Sequence, residues 1–310
     1  MKKISFLNAG LFALLVGGML FTASCKKNET VADEAAEVEN TMIAAEDDAV
    51  SEAVYNTVFD DVMGADDEVG MAGTGFLGAR TASGNGEATG VEQVDSAGGY
   101  PCLNITRERL NAPAPFPVKI TYDFGAGCTG RDGHFRKGKI ITIYTGRLIV
   151  PGSIATTTFV GYQVDSFAIG GTHLIKNLST PNEFKYEVGV NNGSVTNVNN
   201  GKFRTRNALH IIKQVQGLGT PFFPRDDVFQ INGGARGTTN RPGYLVEWGR
   251  TILPAEPVIK KFTCHWFVEG KVKIERSFAP TAILDYGDGN CDNKATITVN
   301  GNTRQITLPW

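Results

Sequence analysis

The apolar and polar positions of the chain fall into distinct regimes. Ile4 to Phe21 is an uncharged, mostly apolar run. From Val31 to Met63 apolar residues recur at three- and four-residue steps: Val38, Met42, Ala45, Ala49, Ala53 or Val54, Val58 and Val62. With no interior Gly or Pro, that period predicts an amphipathic helix over Val31–Met63. From Pro101 to Trp310 the period becomes two. Val118, Ile120, Tyr122 and Phe124 alternate with Lys119, Thr121 and Asp123. Phe262, Cys264, Trp266 and Val268 alternate with Thr263, His265, Phe267 and Glu269; Val272 and Ile274 with Lys271, Lys273 and Glu275; Thr296 and Thr298 with Ile297 and Val299. Gly/Asn clusters punctuate these runs at Gly170-Gly171, Asn191-Asn192-Gly193, Asn199-Asn200-Gly201, Asn232-Gly233-Gly234 and Asn300-Gly301, and such clusters predict hairpin turns. No convincing amphipathic helix interrupts the strands, so the crossovers a parallel sheet needs are missing. The expected fold is mostly β: an antiparallel meander of about ten to fourteen strands forming a sandwich or a curved open sheet, preceded by an N-terminal acidic helix and a Gly-rich linker.

Charge sharpens this division. The chain has 310 residues, 41% hydrophobic and 20% charged, which excludes a wholly disordered or wholly membrane-embedded protein. The net charge of −2 is too balanced to indicate nucleic acid as a partner. It hides two regions of opposite sign. Residues 28–79 hold 14 acidic side chains and no Lys or Arg, whereas from Arg80 on there are 26 Lys and Arg against 18 Asp and Glu. Asp33, Glu34 and Glu37 suit the positive end of a helix dipole. The acids lack i,i+4 cations, which leaves a solvated, partly helical acidic spacer as the alternative. Gly64 to Gly99 holds ten glycines in 36 residues, the composition of a flexible linker. On this reading residues Val31 to Gly99 are dispensable for folding of a β-domain spanning 100–310.

The N-terminus carries an address. Lys2 and Lys3 precede the apolar run, and Thr22-Ala23-Ser24 leads into Cys25. This is the shape of a secretory signal. Small residues running straight into a Cys resemble the lipobox of bacterial lipoproteins. The resemblance implies that 1–24 is a signal peptide, that the Cys25 sulfur receives a diacylglycerol, and that the new amine takes an acyl chain such as palmitate. The alternative is a single transmembrane helix with an incidental Cys; about 18 residues barely span a bilayer.

Two segments repeat one another. Ile120-Thr-Tyr-Asp-Phe-Gly-Ala-Gly-Cys128 matches Ala282-Ile-Leu-Asp-Tyr-Gly-Asp-Gly-Asn-Cys291, with one residue inserted before the second Cys. Cys102 precedes the first Cys by 26 positions and Cys264 the second by 27. With Cys25 set aside, four cysteines allow three pairings. The matched spacing favours disulfides Cys102–Cys128 and Cys264–Cys291; free, buried thiols are the alternative. The Asp-Phe/Tyr-Gly-x-Gly string resembles the signature of PKD-type Ig-like domains, residues 285–289 more closely than 123–127. The whole layout resembles uncharacterised lipoproteins of Bacteroidota: a lipobox followed by Lys, an acidic helix, a Gly-rich linker, and strands carrying the repeated motif. That resemblance spans most of the chain. It implies a lipid-anchored protein of the outer membrane, on the periplasmic or the surface-exposed face, and implies no activity.

Candidate chemistry is sparse. Asp285, Asp288 and Asp292, with Asn290 and Asn293 beside them, offer oxygen ligands for Ca²⁺ on a Gly-rich turn. Tight turns use the same residues for themselves, the spacing is not that of an EF-hand, and Ala126 replaces Asp288 in the first copy. No other cofactor is implied. Gly130 to Gly138 is a cationic loop. Gly73-Thr-Gly-Phe-Leu-Gly78 fits a dinucleotide fingerprint but lacks its strand and helix. His134, His173, His210 and His265 are isolated along the chain. Asp165, Glu183, Glu187, Glu247 and Glu269 are available for a glycosidase pair. Tyr162, Tyr186, Phe222, Phe223, Tyr244 and Trp248 offer faces for sugar stacking, or ordinary sheet packing. The expectation is a non-enzymatic binding or envelope-structural protein whose partners are the membrane, through its anchor, and a glycan or envelope protein. Two alternatives stand beside it: a lipid-carrying half-barrel like lipoprotein-localisation factors, and a polysaccharide hydrolase.

Overall fold

The computed structural model describes residues 25–63, 91–94, 103–130, 133–219, 224–242 and 244–309. Among them a single α-helix, α1 (Cys25–Met63), precedes sixteen strands: β1 (Val91–Val94), β2 (Asn104–Arg109), β3 (Val118–Asp123), β4 (Cys128–Thr129), β5 (Phe135–Tyr144), β6 (Ile154–Val164), β7 (Phe167–Asn177), β8 (Lys185–Asn197), β9 (Phe203–Gln216), β10 (Val228–Arg241), β11 (Tyr244–Ile252), β12 (Val258–Lys261), β13 (Phe267–Glu275), β14 (Ala282–Asp288), β15 (Lys294–Val299) and β16 (Asn302–Thr307). Sequential neighbours pair antiparallel in one meander from β1 to β16, with β4 added to β5 and β12 bridging β10 and β13. The expected class is therefore the observed one. One compact unit runs from Glu37 to Trp310 and holds α1 from Glu37 on; the preceding unit, ending at Ala36, contributes the first turns of α1.

The alternation works as expected where it is cleanest. In β3 Val118, Ile120 and Tyr122 are buried while Lys119, Thr121 and Asp123 are not, and β14 and β15 bury Ala282, Leu284, Tyr286, Ala295, Ile297 and Val299. Opposed residues share a face, so one inward row can be followed from Ile120 through Thr142, Thr157, His173, Val190, Ala208, Ala235 and Arg250 to Ile274, Ala282 and Val299. Between Phe262 and Glu269 the pattern misleads. Residues 262–266 form a turn, β13 starts at Phe267, and the Trp266 indole donates to the Pro309 carbonyl at 3.1 Å.

The Gly/Asn clusters also divide. Asn199-Asn200-Gly201 and Asn300-Gly301 are turns, but Gly170-Gly171, Asn191-Asn192-Gly193 and Asn232-Gly233-Gly234 lie inside β7, β8 and β10. The β7–β8 register slips between Gly170 and Thr172, and the β8–β9 register between Val190 and Gly193. Gly171 (φ 97°) and Asn192 (φ 49°) sit at these slips. A left-handed residue inside a strand makes a bulge, which bends the strand. Bulges and hairpin turns draw on the same residues, so local sequence does not separate them. Here they curl the sheet.

What the sheet curls around is α1. From Thr41 to Val62 the helix is buried on most sides; Thr41, Ala44, Asp47, Asp48, Ser51, Glu52 and Tyr55 are as enclosed as Met42, Ala45, Ala49, Val54, Val58 and Val62. Among the described side chains of this stretch only Ile43, Glu46, Val50 and Ala53, together with Asn56 and Phe59, keep partial exposure. The helix is thus neither a solvated spacer nor one-sided, and its burial argues against the dispensability expected of Val31–Gly99. β1 likewise lies inside the stretch read as linker and pairs with β2. Residues 64–90 lie outside the described part.

Candidate functional site: charges buried between the helix and the sheet

The inner face of β9 presents Arg204, Arg206, Ala208 and His210 at every second position. The acids of α1 meet them. Asp47 accepts from Arg204 Nε at 2.8 Å and from the Thr239 hydroxyl at 2.6 Å, and Lys202 Nζ lies 2.6 Å away. Asp48 and Glu52, one helical turn apart, share Arg206, which donates to both. Arg250 of β11 closes the network: its guanidinium lies 3.2 Å from Asp48 and donates to Glu52 at 2.6 Å. His210 stands 3.2 Å from Arg250 and 3.6 Å from Glu52. The side chains of Asp47, Asp48, Arg206 and Arg250 are at most 1% exposed.

Below the charges, Tyr55 reaches the bulged region of β7 and β8. Its hydroxyl donates to the Gly170 carbonyl at 2.5 Å and accepts from the Ser194 N–H at 3.0 Å, supplying partners where the ladder is interrupted. Gly193 leaves the room: a Cβ there would lie 2.7 Å from the Tyr55 hydroxyl. Further along, the Asn56 amide donates to the His265 carbonyl, and the Tyr144 hydroxyl donates to the Val62 carbonyl. At the other end of the docked segment Arg276 binds Glu37, Arg304 binds Glu39, and the Tyr244 hydroxyl donates to Asn40.

Burial pushes the Glu52 carboxyl up, but Arg206 and Arg250 together outweigh it and hold it down to about 2. Asp48 moves the other way, because burial outweighs the same two cations. Burial lowers His210 to about 3 and His173 to about 4, against the pull of Glu52 on each, so both imidazoles are neutral. The space left beside them is a cavity of about 30 Å³ among Glu52, Tyr55, His173, Arg206 and His210. That is room for ordered water and far below the size of an organic ligand site. A larger open hollow of about 310 Å³ lies over Asn191, Asn207, Leu209 and Arg236, and no carboxylate lines it.

The residues singled out from sequence are scattered. Cys264 and Cys291 form a disulfide with Cα atoms 5.6 Å apart. Cys264 sits in the turn before β13 and Cys291 in the loop after β14, so the bond joins loops rather than paired strands. Cys128 is also disulfide-bonded; Cys102 lies outside the described residues. The repeat is structural as well. Asp123 accepts from the Gly125 N–H and Asp285 from the Gly287 N–H, each at 2.9 Å, and Phe124 and Tyr286 are buried. The proposed calcium ligands each serve a local partner instead: Asp285 its own turn, Asp288 the Asn290 amide, Asp292 the Lys294 N–H. Among the described residues no three His, Cys, Asp or Glu side chains are grouped to hold a metal.

His134 pairs with Asp165 at 2.7 Å, and Glu183 lies between Lys185 and Lys213. Glu187 and Glu247 stand on separate strands, opposite Lys176 and Thr238; Glu269 faces Asp288 across β13 and β14. None of these carboxylates lines the cavities above. Of the candidate stacking aromatics, Tyr162, Tyr186 and Trp248 are buried and Tyr244 is exposed. Phe222, Phe223, the Ile4–Phe21 run and Gly73–Gly78 lie outside the described residues. Cys25 is the first residue of α1.

The charge network itself was missed in the sequence, although two signals pointed to it. One is Asp47-Asp48-x-x-x-Glu52 on a helix without cationic partners of its own. The other is a β-region with a complementary cationic excess. No protein family, curated protein or solved structure matches the chain.

Proposed function

We propose that the chain is a lipid-anchored envelope protein of the outer membrane with a non-enzymatic, structural or binding role, carried on acyl chains at Cys25. The observation that carries this reading is the filled concave face. A lipid-carrying half-barrel needs an empty apolar trough; here the trough holds α1 and the buried groups Asp47, Asp48, Glu52, His173, Arg204, Arg206, His210 and Arg250. A hydrolase needs two carboxylates in an open cleft; here Asp48 and Glu52 are closed in between arginines, beside a cavity of about 30 Å³. A sheet stiffened from inside suits a body that presents its outer surface. The compact unit begins at Glu37, twelve residues after Cys25, and those residues are helical, a reach of about 18 Å. An anchor at Cys25 then holds the body close to the bilayer, not at the end of a long tether.

The test is a Cys25→Ala variant of the full chain, followed by fatty-acid labelling and fractionation. The expected result is loss of acyl label and accumulation of uncleaved precursor. Normal labelling of the variant contradicts the anchor.

A further inference from the structure

The sheet has two ends, and α1 runs from one to the other. Its Glu37–Thr41 turn lies against Tyr244, Arg276 and Arg304, at the strand ends that carry the β8–β9, β10–β11 and β13–β14 turns. Its Val62 lies against Tyr144, where β5 leaves for β6 at the opposite end. α1 therefore enters the compact unit at this end, at Glu37.

That rim is apolar in an unusual way. Phe278, in the β13–β14 turn, is fully exposed (107%) and holds a left-handed backbone, φ 57°. A bulky residue rarely adopts that conformation, which Gly or Asn fills at lower cost. Strain of this kind persists where the side chain has a use. Leu245 is 60% exposed, and Phe203 and Val198 are exposed in the neighbouring β8–β9 turn region. The Phe203 N–H donates to the Asn240 side chain, and Asn240 stands opposite Leu245, so these side chains occupy one stretch of the rim. Three of the cations here are paired with α1, Arg276 with Glu37, Arg304 with Glu39 and Lys202 with Asp47, and Arg241, opposite Tyr244, adds its attraction to Glu39.

We propose that this rim seats directly on the lipid surface, with Phe278 and Leu245 inserting among the headgroups as a second, protein-borne contact. The inference rests on the anchor reading for its orientation, since α1 enters the compact unit at this rim. Aromatic and aliphatic side chains suit the membrane–water boundary. Because the rim's cations are neutralised by α1, the contact is apolar. It needs no anionic lipid and depends little on salt, unlike a polybasic surface.

The experiment uses residues 26–310, which contain the whole compact unit and cannot be acylated at Cys25, so its outcome is independent of the labelling test. Flotation with phosphatidylcholine vesicles is expected to carry the protein, nearly equally at 50 and 500 mM salt. A Phe278→Asn, Leu245→Ala variant is expected to lose on the order of tenfold or more in partitioning. Phe278→Asn alone should keep or raise the melting temperature, because Asn tolerates the backbone better. Ile149→Ala with Leu218→Ala, exposed at the opposite end, should bind as wild type. The proposal is overturned if wild type fails to float, if binding requires anionic lipid, if the opposite-end variant loses as much, or if the rim variant instead dissolves a dimer formed without lipid. Failure here with Cys25 acylated removes the rim contact and leaves the anchor standing.

Discussion

Replacing Arg206 by Met is expected to destabilise the protein by about 3–5 kcal/mol, because removal of one partner leaves a buried counter-charge uncompensated. Among the described residues Arg206 alone donates hydrogen bonds to both Asp48 and Glu52, and both carboxylates are buried. Arg250 remains, but it already serves Glu52 and approaches Asp48 at 3.2 Å. For a unit of this size the loss corresponds to about 6–20 °C in melting temperature. The variant's methylene stem keeps most of the packing of the arginine it replaces, so the change reads the charge. A double variant, Arg206→Met with Glu52→Leu, should lose clearly less than the two single variants added together, since the two side chains are coupled. Additive losses in thermal or urea unfolding would mean that the two groups do not depend on one another.

This network also shows where legibility in the sequence ended. Strands such as β3 were readable because their inner-face residues are apolar and their outer ones polar. The helix was readable from its period, and the Cys264–Cys291 bond from the spacing of a repeat. The helix's partner was not. Burial of Asp47, Asp48 and Glu52 depends on Arg204 and Arg206 lying more than 150 positions away, a pairing that no local pattern encodes. The opposite charges of the two regions were visible, yet the same segregation describes a solvated spacer beside a basic domain. Gly171 and Asn192 failed for a different reason: a bulge and a turn ask the same backbone of the same residues.

Acidification is expected to remove several kcal/mol of stability between about pH 6.5 and 4. His173 and His210 are neutral in the fold, at about 4 and about 3, while in the unfolded chain they take up protons from about 6.5 downward. Their folded values lie below their unfolded ones, so the stability is full above pH 6.5 and is lost as pH falls through the folded values. Each unit is worth about 1.4 kcal/mol. Glu52, held down to about 2, adds a loss of the same sign below its ordinary value of 4.5. Asp48, pushed up by burial, opposes it, because its protonation favours the fold. Melting temperature should fall steeply from pH 7 to pH 4.5, and His210→Gln should flatten the fall. A midpoint that stays constant over that range would place both imidazoles in contact with solvent.

In this structure α1 is the core of the sheet and not its tether. This is tested most directly by comparing the thermal unfolding of residues 26–310 with that of a chain beginning at Gly90, which keeps β1 and every later strand but lacks the helix. Without α1 the sheet is left with Arg204, Arg206 and Arg250 unpaired and an inner face bared to water. The shorter chain is expected to show no cooperative transition at a temperature where the longer one is folded. A cooperative melt within a few degrees of the longer chain would contradict it.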